Sequence, residues 1–349
     1  MGYSLFVSGL THKDEKRAFP GFTLFTTMSG DAFNLIDMDG QVVRRWTPPA
    51  GMKAFYATGL PNGNLLAQCV DGSETGGPAG GRAAAVLELD WDNDVVWEYR
   101  NPALHHDHQR TPQGTTILIA AEMLDKETSM HFAHGDPVTP DGRILSEALI
   151  EVGADGRVLW EWHANEHLDP EIEKYRVGSG GNQWLHANAV HVLPDGNIMT
   201  SFNTLSEVVM LDKGTGKVTW RLKPETTMSQ HNPTLLENGN ILLFDNGSRR
   251  NYSRVLEIRP EDQEIVWDYT GDPRDCFFSM NISGAQRLPN GNTLVCEGRS
   301  ARFFEVTPEK ETVWEYISPF WTEHMGQKSR AVFRAHRYAS DSPFIQGRV

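Results

Sequence analysis

Thirteen histidines are spread over 349 residues, and those able to act together are His105, His106 and His108, then His186 and His191, then His231. Imidazole is the side chain that carries protons, attacks as a nucleophile or ligates metals near neutral pH. His131 and His134 lie in the long stretch from Glu122 to Glu147, and Arg249, Arg250 and Arg254 follow Phe244-Asp245-Asn246-Gly247. Two chemistries suit such a set. Guanidinium and imidazole donors stabilise an anionic group in transfer. Converging neutral imidazoles also suit Zn²⁺, Mn²⁺ or Fe²⁺, and His106, His134, His186 and His231 are the candidate ligands. Of the nearby acids, Asp107, Glu122 and Asp136 could serve the cluster, whereas Asp245 reads as turn chemistry in Asp-Asn-Gly.

Residues so far apart need a repeating frame to bring them together. One motif is a tight turn ahead of an apolar strand: Leu60-Pro61-Asn62-Gly63-Asn64, Thr111-Pro112-Gln113-Gly114-Thr115, Leu193-Pro194-Asp195-Gly196-Asn197, Leu236-Glu237-Asn238-Gly239-Asn240 and Leu288-Pro289-Asn290-Gly291-Asn292. Proline presets φ and glycine accepts φ > 0, so each is a hairpin corner. A second motif follows each turn, an apolar pair with an acid and then Val-x-Trp or a variant of it, as in Val86-Leu87-Glu88 to Val96-Trp97 and Val255-Leu256-Glu257 to Val266-Trp267. A sixth copy, Leu35-Ile36-Asp37 to Trp46, lacks an inner strand of its own, while Arg330 to Tyr338 looks like an inner strand without partners.

Four-strand units at this spacing predict an all-β, six-bladed β-propeller forming one domain. The blades are 53–99, 104–162, 186–221, 231–269, 280–316, and 22–46 closed by 330–338. The tryptophans are expected to pack between blades.

The frame supplies a test for the histidines. Loops between strands two and three share a face with the segments entering each inner strand. Counting back eight residues from each turn glycine gives one equivalent position per blade: Phe55, His106, Asn188, His231 and Ser283. Strand alternation puts His106 and His108 on one side, shared by His186. The expected site is therefore the mouth of the central channel. His106, His186, His231 and Arg249 are its catalytic candidates, and His108, Asn188, Arg250, Arg254, Tyr56 and Ser283 are its substrate contacts. His12 and His324 are expected at the surface.

The segment Gln230-His231-Asn232 leading to Phe244-Asp245-Asn246-Gly247 and Ser253-Arg254-Val255-Leu256-Glu257 resembles the arylsulfotransferase family, as does Trp184-Leu185-His186-Ala187-Asn188 before Leu193-Pro194-Asp195-Gly196-Asn197. The resemblance implies a six-bladed propeller that moves a sulfuryl group between aryl sulfates and phenols through a transiently sulfated histidine. It makes His186 and His231 supporting histidines and Arg249, or Arg250 beside it, the anion clamp. It also places a nucleophilic histidine on the fifth inner strand, where Phe278-Ser279-Met280-Asn281-Ile282-Ser283-Gly284 has none. Under this reading His231 or His106 takes the nucleophile's role.

Composition sets the remaining bounds. A net charge of −14 disfavours nucleic-acid partners. Three cysteines without a CxxC pair argue against a disulfide framework, and no apolar run approaches membrane-spanning length. A cytoplasmic enzyme with a small-molecule substrate and no membrane partner is the expectation; oligomeric state is left open. A metal-dependent or histidine-based lyase or hydrolase, with Tyr56 exchanging a proton, is the alternative, and a non-catalytic scaffold is the third reading. The glycine-rich stretch Asp71 to Gly81 is expected to be a solvated loop.

Overall fold

The structure, a computed structural model, describes residues 7–71, 83–133, 141–173, 183–223, 225–324 and 326–349. Six antiparallel four-strand units are arranged as the blades of a propeller. Numbering blades from the first complete one, the inner strands are Met52–Gly59, Leu104–Arg110, Ala187–Val192, His231–Leu235, Gly284–Arg287 and Val332–Tyr338. The last of these pairs with Phe22–Thr27, Tyr338 opposite Phe22, so the C-terminal strand completes the sixth blade.

A second closure lies near the N-terminus. Gly9–Lys13 adds a fifth strand to the outer edge of blade 5, against Thr312–Ile317. It covers an edge that would otherwise present unpaired backbone groups.

The repeated motifs explain how neighbouring blades hold one another. Each apolar cluster spans adjacent blades. The outer-strand tryptophans donate Nε1–H to a carbonyl in the next blade's outer hairpin: Trp46 to Asp90, Trp162 to Gly216, Trp220 to Pro260, Trp267 to Pro308 and Trp314 to Met38, at 2.9–3.0 Å. An arginine four residues before the turn glycine reaches the preceding blade's Glu: Arg110 to Glu88 and Arg287 to Glu257, each at 2.6 Å. Arg337 does the same toward Glu305 at 2.5 Å, with both side chains fully buried.

The inner strands depart from ideal pairing just where the site lies. In blades 1, 2, 3, 4 and 6 the register slips beside the channel, the inner strand carrying one extra residue, or two in blade 2. Such bulges turn a side chain out of its alternating direction. His106, His186, Asn232 and Ser283 have φ of 56°, 53°, 53° and 88°, values that non-glycine residues hold only when their surroundings enforce them. No described helix is long and apolar enough to cross a membrane. Cys69 and Cys296 are buried free thiols, and Cys276 is exposed.

Candidate functional site

The register read from the turns forms a ring of side chains across the channel. Phe55 meets Phe333, the equivalent residue of the closing strand, with ring centres 4.9 Å apart. Phe333 in turn lies 5.9 Å from His106 and 6.5 Å from His231. Asn188 and Ser283 complete the ring, both fully buried.

On the side of this ring toward the two–three loops the histidines converge. His106 and His186 meet edge to face at 4.5 Å. His105 Nδ1 is 2.7 Å from His106 Nδ1, and His105 Nε2 is 2.7 Å from the buried Glu147 carboxylate. Glu147 also accepts the Ala187 N–H at 3.0 Å, which ties the acid to the next blade. The approach to Glu147 is a charge contact outside hydrogen-bond geometry, and with His106 Nδ1–H donating to His105 Nδ1 the lone pair of His106 rests on Nε2. A similar argument fixes His231. Its Nδ1 is 2.7 Å from Asn246 Oδ1, and Asn246 is oriented by its amide donating to the Ser279 and Ile282 carbonyls. The Asn246 oxygen can only accept, so His231 Nδ1 carries the proton and Nε2 the lone pair. His186 is positioned by Gln183.

Burial keeps these rings neutral. It pushes the His186 imidazole down to about 3 and the His231 imidazole down to about 4, and neighbouring cations would add to the effect. His106 is driven well below its ordinary value by desolvation, then by its histidine neighbours and Arg334.

On the other side of the ring lies a second group. Arg334, fully buried, pairs with Asp107 at 2.8 Å and donates to the Asn188 carbonyl at 2.7 Å. Tyr56 Oη is 2.8 Å from His336 Nε2, and the Tyr56 ring lies 5.0 Å from His108. Desolvation holds both His108 and His336 at about 3. These groups floor a cavity of about 840 Å³ that opens among the Pro-x-Gly turns, at the face opposite the two–three loops.

The arylsulfotransferase (ASST) family profile matches residues 60–319. The chain belongs to the arylsulfotransferase family. No curated protein matches it. Among solved structures, a protein of unknown function from Bacteroides caccae aligns with TM-score 0.59 at 13% identity, covering 91% of this chain and 98% of that one. A catalytically inactive variant of virginiamycin B lyase from Staphylococcus aureus aligns at TM-score 0.50 and 12% identity, covering 89% and 88%. A streptogramin B lyase aligns at TM-score 0.50 and 13% identity, covering 95% and 93%. At such identities these likenesses speak for the propeller alone.

Within this arylsulfotransferase-family propeller, the structure gathers His106, His186 and His231 as their spacing indicated. It separates His108 from them. The bulge between Leu104 and His108 breaks the alternation, so His106 faces blade 3 and His108 faces blade 1. Tyr56 also belongs to the lower group.

Arg249 is exposed on its loop and is not brought to the histidines. Arg250 and Arg254 are engaged by the buried Asp245, at 2.5 and 2.6 Å, which makes that acid a loop-holding group. Ser283 bonds Ser279 and the Gly298 N–H, and Asn188 spans to the Gln230 carbonyl. His131 is exposed on a short helix, Lys126–Phe132, and Glu122 pairs with His163. His134, Asp136 and most of the glycine-rich stretch lie outside the described residues. Among the described residues no group of three or more His, Cys, Asp or Glu is placed to hold a metal ion.

Three contributors had no clear mark in the sequence. Glu147 sits at the start of a third strand, away from any histidine run. Arg334 and His336 lie on the closing strand, which has no turn glycine of its own from which to count.

Proposed function

We propose that the chain transfers a sulfuryl group from an aryl sulfate to a phenol, with His106 Nε2 as the nucleophile. The His105–His106 hydrogen bond, with the Glu147 carboxylate 2.7 Å from His105 Nε2, is the observation that carries this reading, because it leaves an imidazole lone pair on His106 Nε2 where the fifth inner strand has no histidine. Attack forms an N–S bond and breaks the S–O bond to the aryl group, which leaves as phenolate. The His106 Nδ1 proton moves toward His105 as positive charge builds, and Glu147 stabilises the His105 cation. The phenol acceptor then forms a new O–S bond as the N–S bond breaks, and His105 returns its proton to His106 Nδ1. His231, neutral and with its lone pair on Nε2, takes the phenol proton. Arg334 faces the other compartment and is paired with Asp107, so the histidines themselves, not Arg249 on its exposed loop, receive the transferring group.

The test is release of nitrophenolate from para-nitrophenyl sulfate in the presence of phenol, with mass analysis of histidine peptides after reaction with donor alone. Transfer, and a sulfate-mass adduct on the His106 peptide, are expected. His106→Ala should lower kcat by about a thousandfold and abolish the adduct, as loss of a covalent nucleophile does. An adduct on another residue, or full activity in His106→Ala, would remove His106 from the role.

A further inference from the structure

The cavity at the turn face takes no part in the relay chemistry, yet it is built like a binding site. Its lining is mixed: Leu60, Val192 and Pro233 are apolar, Gln109, Arg110 and His191 are polar, and Arg334 with Asp107 lies at the floor. A cavity of about 840 Å³ is within the size range of small-molecule sites. It is partitioned from the histidine tier by the Phe55–Phe333 contact and the ring of which it is part.

The floor contains an unfinished hydrogen-bond set. Asp107 is fully used, accepting from the His108 and Val190 N–H groups at 3.0 Å each and from Arg334 at 2.8 Å. Arg334 is not. Its Nη atoms are engaged by Asp107 and the Asn188 carbonyl and the Tyr56 hydroxyl also interacts with the guanidinium, but its Nε–H has no partner in hydrogen-bond geometry among the described residues, although the side chain is buried. A buried guanidinium donor left unpaired costs free energy that an incoming acceptor recovers. Asp195 and Glu237 stand at the rim, but both are exposed to solvent, which screens them.

We propose that this cavity is a second binding site, separate from the histidine tier, for a small molecule carrying one carboxylate on an apolar body. The carboxylate is received at Arg334, and the body lies against the leucine, valine and proline walls.

Titration calorimetry with benzoate, and with benzamide as its neutral counterpart, tests this on the intact chain. Benzoate is expected to bind and benzamide to bind at least about tenfold more weakly, the scale of a charge-assisted hydrogen bond. Thr234 lines the wall and is half-buried, so a charge placed there faces the ligand. Thr234→Glu should weaken benzoate binding about tenfold or more, whereas Thr234→Lys, of similar bulk, should preserve or tighten it. His231→Ala, in the other compartment, should leave benzoate binding intact, so the failure of the transferase reading and the failure of this one are separately visible. No heat of binding with benzoate, equal binding of benzamide, or equal loss in both Thr234 variants would overturn the proposal.

Discussion

At the scale of single residues, the channel is lined by imidazoles that fold in their neutral form. His108, His186 and His336 sit at about 3 and His191 and His231 at about 4, in each case first through burial. In the unfolded chain each would titrate near 6.5. Between that value and its folded value the unfolded state binds more protons, so stability is full above about pH 6.5 and falls with acidification toward pH 4. Each histidine contributes up to about 1.4 kcal/mol per pH unit within that window. Urea unfolding midpoints measured at pH 7, 6 and 5 should therefore drop steeply, and His336→Gln should flatten the drop. Equal midpoints at pH 7 and pH 5 would show that these rings are not held neutral.

Among elements, the tryptophan contacts between blades are the ones with a definite energetic expectation. Trp314 is fully buried, donates to Met38 of the next blade and carries the Arg337 guanidinium 4.2 Å from its ring centre. Trp314→Ala should cost about 3–5 kcal/mol in urea denaturation, the range for large core truncations, and Trp314→Phe should cost less. The elements also show why the sequence was readable to one depth and no further. The Pro-x-Gly turns and the Val-x-Trp strands repeat because every blade solves the same packing problem, so blade count and closure could be read from them. The register counted from those turns placed His106 and His231 correctly on the ring. Alternation failed one step later, at His108, because the strand is irregular between Leu104 and His108, with two more residues than its partner, and no residue type announces it. Arg334 escaped notice for a related reason, since its strand is separated from its hairpin partner by the whole length of the chain. The Glu147 contact depends on a third strand's depth in the channel, which periodicity does not encode.

For the whole molecule, two fastenings hold the ring, and they differ in consequence. The Val332–Tyr338 strand is the inner wall of blade 6 and carries Phe333, Arg334 and His336. The Gly9–Lys13 strand lies on the rim of blade 5. Removing residues 1–13 should lower the thermal midpoint by a few degrees and leave transfer activity unchanged, because the Gly9–Lys13 strand that is lost covers only an outer edge. Loss of activity without loss of stability on that truncation would mean that the strand reaches the channel.

The tryptophan staples leave one interval unstitched. Trp97, the equivalent residue of blade 1, has a buried Nε1–H without a hydrogen-bond partner among the described residues, and stacks instead under Arg110 at 4.8 Å. That joint lies between the strands that carry Tyr56 and His108 and is a wall of the lower chamber. There the wall is held by the charged pair of Arg110 and Glu88, where each of the other five joints has an indole donor.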